Sequence, residues 1–232
     1  LGSVVGDKEQ GKLYVVAVPI GNLGDITFRA VDTLRSVSFI AAEDTRTSSV
    51  LLRHYGISKP LLSFHSYSTE KRLEEIINRI LSGESAALIT DAGTPGISDP
   101  GYVLVRSALQ HGCDVIPIPG ATALITALSA SGLRTDRFVF EGFLPLKKGR
   151  QTKLRSLVEE SRTIVLYEST HRIERTLEEL LYAFGDRRCV VARELTKIHE
   201  TFYRGTISSV MESLKRDVKK GEFVIIIEGK EN

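Results

Sequence analysis

The stretch AALITDAGTPGISDPG, residues 86–101, decides how the rest of the chain is read. Residues 86–90 form a short apolar run, the mark of a strand buried on both faces of a sheet. The eleven residues that follow, 91–101, hold three glycines and two prolines, more than a simple turn requires. Asp99 and Pro100 then open a helix, with a carboxylate at the N-cap and proline at the first helical position, where its missing N–H costs nothing.

The same grammar recurs on either side. Strand candidates at 13–18, 38–42, 61–64, 86–90 and 115–117 alternate with amphipathic stretches. In 68–81, Leu73, Ile76, Ile77, Ile80 and Leu81 fall at i, i+3, i+4, i+7 and i+8, one apolar stripe of 3.6-residue period. Strand, loop and helix repeated five times predict a mostly parallel sheet with helices on both faces. The helical pattern of 121–131 ends at Gly132 before the polar LRTDR, so a boundary is expected near residue 130. Beyond it, strands are expected at 138–141, 163–167, 189–193, 201–204 and 223–227, with helices near 151–160, 170–184 and 208–215. The last strands lack long intervening helices, which predicts a mixed sheet with antiparallel pairs. The expected organisation is a disordered tail or cloning remnant over 1–12, an N-terminal α/β domain over 13–130 and a C-terminal α/β domain over 131–232.

A length of 232 residues suits two such units. With 42% apolar and 26% charged residues, disordered, collagenous and low-complexity classes fall away. Apolar runs stop near eight residues, far below the ~20 of a membrane-spanning helix, and the acidic opening lacks a signal-peptide centre. Cys113 and Cys189, 76 positions apart, form neither a disulfide framework nor a zinc spacing. A cytoplasmic location is expected.

The net charge of +2 conceals an asymmetry. Up to Ala127 there are 11 Lys/Arg against 13 Asp/Glu, and from Leu128 onward 20 against 16. Residues 142–158 carry Lys147, Lys148, Arg150, Lys153 and Arg155 and no carboxylate. Such a cluster reads as a solvated loop or as a phosphate-contact segment.

Three Gly/Pro-rich loops each follow an expected strand: PIGNLGD (19–25), DAGTPGISDPG (91–101) and IPGATA (118–123). Strand ends of an open parallel sheet share one edge, where ligands bind, and glycine lets backbone approach a ligand closely. Each loop alone reads equally as a tight turn. No GxxxxGK[ST] or GxGxxG occurs, which argues against nucleotide-phosphate and Rossmann sites. Mixed charges end three further strands, in AEDTR (42–46), YESTHR (167–172) and ARELTK (192–197), where internal salt bridges are the alternative to chemistry. The five histidines show no HxxH or HExxH spacing, so no metal is expected. No GxSxG occurs, and neither cysteine lies in a glycine-rich loop.

Taken with VPIGNLGDIT (18–27), AEDTR, TDAGTPGISDPG (90–101), IPGATALITALSASGL (118–133), GFLP (142–145), YESTHR and RELTK (193–197), the chain resembles the ribosomal RNA small-subunit methyltransferase I family of the tetrapyrrole methylase superfamily. The resemblance runs from about residue 13 to 229. FHSYSTE (64–70) departs from the histidine- and asparagine-rich loop of that family, which puts a role for His65 or Ser66 in doubt.

The resemblance implies a two-domain α/β homodimer that binds S-adenosylmethionine (AdoMet). It would methylate the 2′-oxygen of a cytidine in small-subunit ribosomal RNA, free or in the 30S particle. It places Ile20, Gly21, Asp91, Gly93, Thr94, Pro95, Ile97, Ser98, Ala121, Thr122 and Ala123 around the cofactor, with Tyr167, Glu168 and Thr206 from the second domain. A ribose hydroxyl needs a base or a cation that lowers its pKa. Glu43, Asp44, Glu168, His171, Glu194 and Lys197 are unranked candidates. Arg46, Arg172 and Arg193 either bind RNA phosphate or hold these carboxylates, and Lys147, Lys148, Arg150, Lys153 and Arg155 form an RNA-backbone clamp. A tetrapyrrole C-methyltransferase and a catalytically silent RNA-binding module are the alternatives.

Overall fold

The computed structural model describes residues 10–65, 68–217 and 220–231. Residues 1–9 of the expected tail, and Ser66 and Tyr67 of the FHSYSTE loop, lie outside the described residues. Gly11 and Lys12, counted with the tail above, belong to the fold. The Gly11 N–H donates to the Ile80 carbonyl at 2.9 Å, and a Cβ on Gly11 would meet the Glu84 carbonyl at 2.1 Å, so only glycine fits there.

The first compact unit, Leu1–Thr122, is built on five parallel strands. Its elements are β1 (Lys12–Val16), α1 (Phe28–Ser36), β2 (Phe39–Ala42), α2 (Thr45–His54), β3 (Leu61–Ser63), α3 (Glu70–Leu81), β4 (Ala86–Ile89), α4 (Gly101–Gln110) and β5 (Asp114–Ile118), in sheet order β3-β2-β4-β1-β5. Alternate strand residues serve opposite faces. Ala87 and Ile89 of β4 share a core with Ala30 and Leu34 of α1 and Leu52 of α2, whereas Ala86 and Leu88 share one with Ile76 and Ile80 of α3 and Leu104 of α4. Ile76, Ile77 and Ile80 are at most 2% exposed, and each contributes about 1.5–3 kcal/mol of burial. The doubly wound arrangement follows: α1 and α2 cover one face, α3 and α4 the other.

Helix starts follow capping chemistry, with one difference from expectation. Thr27, Asp44 and Thr69 accept N–H groups of the first turns of α1, α2 and α3. At α4 the N-cap is Pro100, not Asp99; the Asp99 Oδ1 instead accepts both Gly96 N–H (2.8 Å) and Gly101 N–H (2.7 Å). The carboxylate thereby pins the 96–101 turn as well as the helix.

The second unit, Ala123–Asn232, contains α5 (Ala123–Ser129), β6 (Phe138–Phe143), α6 (Arg150–Leu157), β7 (Thr163–Ser169), α7 (Ile173–Phe184), β8 (Arg188–Arg193), β9 (Thr201–Thr206), α8 (Ile207–Lys215) and β10 (Glu222–Ile227). The sheet order is β6-β7-β10-β8-β9; β6 and β7 run parallel and the other pairs antiparallel. Phe223, Ile225 and Ile227 face the core made with α6, α7 and α8, while Val224 and Ile226 are buried on the other side. The division falls after Thr122 rather than near residue 130, because α5 packs on β7 and β10.

Candidate active site

In the first sheet β4 lies between β2 and β1. Its outgoing helix α4 covers one face, whereas α2 and α1, which leave the flanking strands, cover the other. Connections that part in this way open a crevice at the carboxyl ends of the strands. The three glycine-rich loops meet there. Val18 and Gly93 exchange both backbone hydrogen bonds (2.9 and 3.2 Å), joining the β1 and β4 loops. Thr94 Oγ1 donates to the Ala121 carbonyl at 3.2 Å, joining the β4 and β5 loops. Gly93 has φ +83°, and a Cβ there would lie 3.4 Å from Ile20 Cγ2 and 3.7 Å from the Ala121 oxygen. Ile20, Gly93, Thr94 and Ala121, one or more from each loop, are therefore brought together at one place on the sheet edge. Ser98 also adopts a left-handed backbone, φ +64°, on the same loop.

Carboxylates gather at the ends of β2 and β4. Thr90 Oγ1 donates to Glu43 Oε2 at 2.6 Å, and the Asp44 N–H donates to Asp91 Oδ1 at 3.1 Å. Asp44 is committed elsewhere: it caps α2 and binds the Arg46 guanidinium at 2.7 and 3.1 Å, which holds its carboxyl down at about 2. Asp91 moves the opposite way, pushed up by partial burial and by its neighbours Glu43 and Asp44 against the Asp44 N–H. Arg46 is surface-exposed in its pair with Asp44.

The second unit brings Tyr167 to the α5 N-terminus. Its Oη accepts the Leu124 N–H at 3.0 Å, one residue beyond Ala123, and its ring stands edge-on to Phe140 and Phe143. Glu168, next in β7, is 2% exposed and fully engaged. It accepts Ser169 N–H (2.7 Å) and Thr176 Oγ1–H (2.7 Å) and pairs with Arg172 Nε (3.1 Å). These bonds tie the end of β7 to α7. His171 is exposed beside it.

Several expected RNA contacts also turn out to be internal. Arg150 is 3% exposed; its guanidinium binds Glu179 Oε2 (2.5 Å), Thr176 Oγ1 (2.7 Å) and the Pro145 carbonyl (3.1 Å). It lies at i, i+4, i+7 with the buried Leu154 and Leu157, a spacing that already marks it as facing the core. Arg172 Nη2 donates to the Leu144 carbonyl at 2.6 Å. Arg193, 6% exposed, donates to the Lys220 carbonyl (2.8 Å) and faces Asp217 at 3.6 Å. Arg172 thus holds one of the candidate carboxylates, Glu168, whereas the partner of Arg193, Asp217, is not among them. Lys153 pairs with Glu141 at 2.5 Å. Lys147, Lys148 and Arg155 are exposed, and no ion pair engages them among the described residues.

Glu194 and Lys197 form a further closed group. The Lys197 ammonium lies 2.9 Å from both Glu194 Oε1 and Glu222 Oε2, and Glu194 also accepts the Glu222 N–H. Burial pushes the Glu194 carboxyl up, but Lys197 and that N–H hold it below the usual range. Thr206 caps α8, opposite Arg188 at the end of the sheet away from Glu168 and Arg193, so it does not join Tyr167. Thr90, Thr176 and Glu179 escaped sequence reasoning. Thr176 sat within the apolar stripe Ile173, Leu177, Leu180, where a polar residue signals a buried partner.

A family model described as Tetrapyrrole (Corrin/Porphyrin) Methylases matches residues 12–211. The chain is 52% identical over 94% of its length to "Ribosomal RNA small subunit methyltransferase I" of Synechocystis sp., covering 79% of that protein. The chain belongs to this methyltransferase I family. A second relative of the same description, from Haemophilus influenzae, is 52% identical over 95% of the chain and 79% of its own length. The family fold extends to a solved structure of Thermus thermophilus uroporphyrin-III C-methyltransferase complexed with S-adenyl homocysteine, at TM-score 0.65 and 19% identity over 93% of this chain and 97% of that one. Among the described residues, no group of three or more His, Cys, Asp or Glu could hold a metal ion, and no helix is long and apolar enough to cross a membrane.

Proposed function

We propose that this chain transfers a methyl group from AdoMet to the 2′-hydroxyl of a cytidine in small-subunit ribosomal RNA, working as a homodimer. The observation that carries the reading is the convergence of Ile20, Gly93 and Ala121, one from each glycine-rich loop, in a chain 52% identical to a small-subunit RNA methyltransferase. The loops suit the donor: a side chain at Gly93 would reach Ile20 and the Ala121 carbonyl, so glycine leaves backbone open to a ligand there, and the 91–98 loop carries no cation for a phosphate.

When bound, AdoMet supplies an electrophilic methyl carbon on a sulfonium. Ile20, Gly21, Gly93, Thr94 and Ala121 would hold it, through loops already tied together by the Val18–Gly93 and Thr94–Ala121 hydrogen bonds. Such preorganisation is where a transfer between aligned partners gains most, up to about 7–11 kcal/mol in favourable cases. Of the carboxylates at the sheet edge, Asp91 takes the hydroxyl proton. Its Oδ1 is oriented by the Asp44 N–H, and its raised proton affinity suits a base. Lys147, Lys148 and Arg155 meet RNA phosphates on the exposed segment whose base is anchored by Arg150. The homodimer is supported by an apolar hollow at the β5 edge, where Leu109 is 60% exposed beside Val105 and Val115.

Labelled AdoMet offered with 30S particles and, separately, with uroporphyrinogen tests the reaction. Label in an alkali-resistant dinucleotide of the small-subunit RNA is the expected result; label in the tetrapyrrole would overturn it. Absence of AdoMet binding in calorimetry would leave the silent-module reading instead. Sedimentation of Leu109→Glu as a monomer, against a wild-type dimer, tests the assembly.

A further inference from the structure

A cavity of about 780 Å³ lies between Phe64, Ser68 and the start of α3 on one side and the β4 loop on the other. Phe64, Leu73 and Val103 give it apolar wall, and Phe64 is only 4% exposed. Tyr102 of α4 stands at its side, 61% exposed. Its lining includes Glu43, Glu70 and Asp99 and no lysine or arginine among the described residues. Gly96 and Ser98 line it too, so it shares a wall with the 91–98 loop proposed above to hold the methyl donor.

We propose that this cavity receives the base of the target nucleotide and that Glu43 reads the exocyclic amino group of that base. The proposal rests on the RNA methyltransferase reading. A polyanionic backbone segment is disfavoured here by the carboxylates, whereas a neutral planar base gains from the apolar wall and from stacking on an exposed aromatic ring. Glu43 has Oε2 fixed by the Thr90 hydroxyl at 2.6 Å, and no hydrogen bond is seen at Oε1 among the described residues. A carboxylate is acceptor-only, so it matches the N4 amine of cytosine and opposes the O4 carbonyl of uracil. A nucleotide seated this way carries its ribose at the wall shared with the donor loop, where the methyl group is delivered. Taking the base out of its stack into such a pocket is the common solution for enzymes that modify a nucleotide within folded RNA or DNA.

The experiment compares kcat/KM for 30S particles carrying cytidine or uridine at the target position, with AdoMet affinity measured alongside by calorimetry. Wild type should favour cytidine by about tenfold or more. Glu43→Gln keeps an acceptor for Thr90 but adds a donor, and should shrink that preference to within about threefold. Tyr102→Ala should raise KM for the particle about fivefold or more with AdoMet affinity unchanged. An unaltered cytidine preference in Glu43→Gln overturns the proposal. So does weakened AdoMet binding in Tyr102→Ala, which would assign the cavity to the donor. A wild type that methylates neither particle sinks the underlying function instead, a separate and recognisable outcome.

Discussion

Arg150 and Glu168 share one hydroxyl. Thr176 Oγ1 donates to Glu168 Oε2 and accepts from Arg150 Nη2, each at 2.7 Å, inside the second unit. Arg150 reaches on to the Pro145 carbonyl, and Arg172, paired with Glu168, reaches the Leu144 carbonyl. The strand end at β7 and the start of the basic segment are thus held by one buried polar network. Thr176→Val removes the hydroxyl at nearly constant volume and leaves two buried charged groups short of a partner. A loss of about 2–5 kcal/mol in urea denaturation is expected. Thr176→Ser should recover most of it; equal loss in both variants would show that the methyl group, not the hydroxyl, matters.

The exposed and buried cations of the basic segment should separate experimentally. Lys147→Ala/Lys148→Ala should lower the slope of log K against log salt for RNA binding by about 1.4–1.8, two phosphate contacts' worth. AdoMet affinity and thermal stability should stay unchanged. Arg150→Ala should instead lower the melting temperature, because it removes a buried guanidinium bonded to Glu179, Thr176 and the Pro145 carbonyl. A pure salt-slope effect in Arg150→Ala would contradict its internal placement.

In the proposed role of base, Asp91 would accept a proton only when ionised. kcat/KM should therefore rise with pH through a carboxyl titration displaced upward from the ordinary 3.8, since partial burial and the Glu43 and Asp44 charges oppose ionisation. Asp91→Asn keeps an acceptor for the Asp44 N–H and should lower kcat by about 10²- to 10⁴-fold while donor binding persists. Lost donor affinity with kcat intact would make Asp91 a binding residue instead.

Both cysteines are buried, and neither is bonded to a partner sulfur. Burial pushes Cys113 up and Cys189 up to about 12, so the native fold disfavours the reactive thiolate at both positions. A disulfide reagent should react with two thiols in urea and with none rapidly in buffer. A fast native thiol would place Cys113 or Cys189 nearer solvent than the structure does.

Much of this is legible in the sequence. The run 86–90 and its glycine-rich sequel identify a parallel strand feeding a ligand-bearing loop, and the Leu73–Leu81 stripe identifies the buried face of α3. Convergence of the three loops follows from parallel topology alone. The fate of charges was less legible, because Arg150 and Lys147 look alike until a core is built against one of them. The i, i+4, i+7 spacing of Arg150, Leu154 and Leu157 carried that distinction, outweighed by the basic composition around it. The allegiance of α5 was not legible either: amphipathic spacing says which side of a helix is apolar, not which sheet covers it. The boundary accordingly falls after Thr122.

The paired hydrogen bonds between Val18 and Gly93 make two loops from distant parts of the sequence exchange protons with solvent as one event. Neither amide can be released while the other remains bonded in the same geometry, so both should show a single opening rate. A ligand seated between Ile20 and Ala121 would slow that rate at both positions together. Two amides 75 residues apart would then serve as one clock for occupancy of the site.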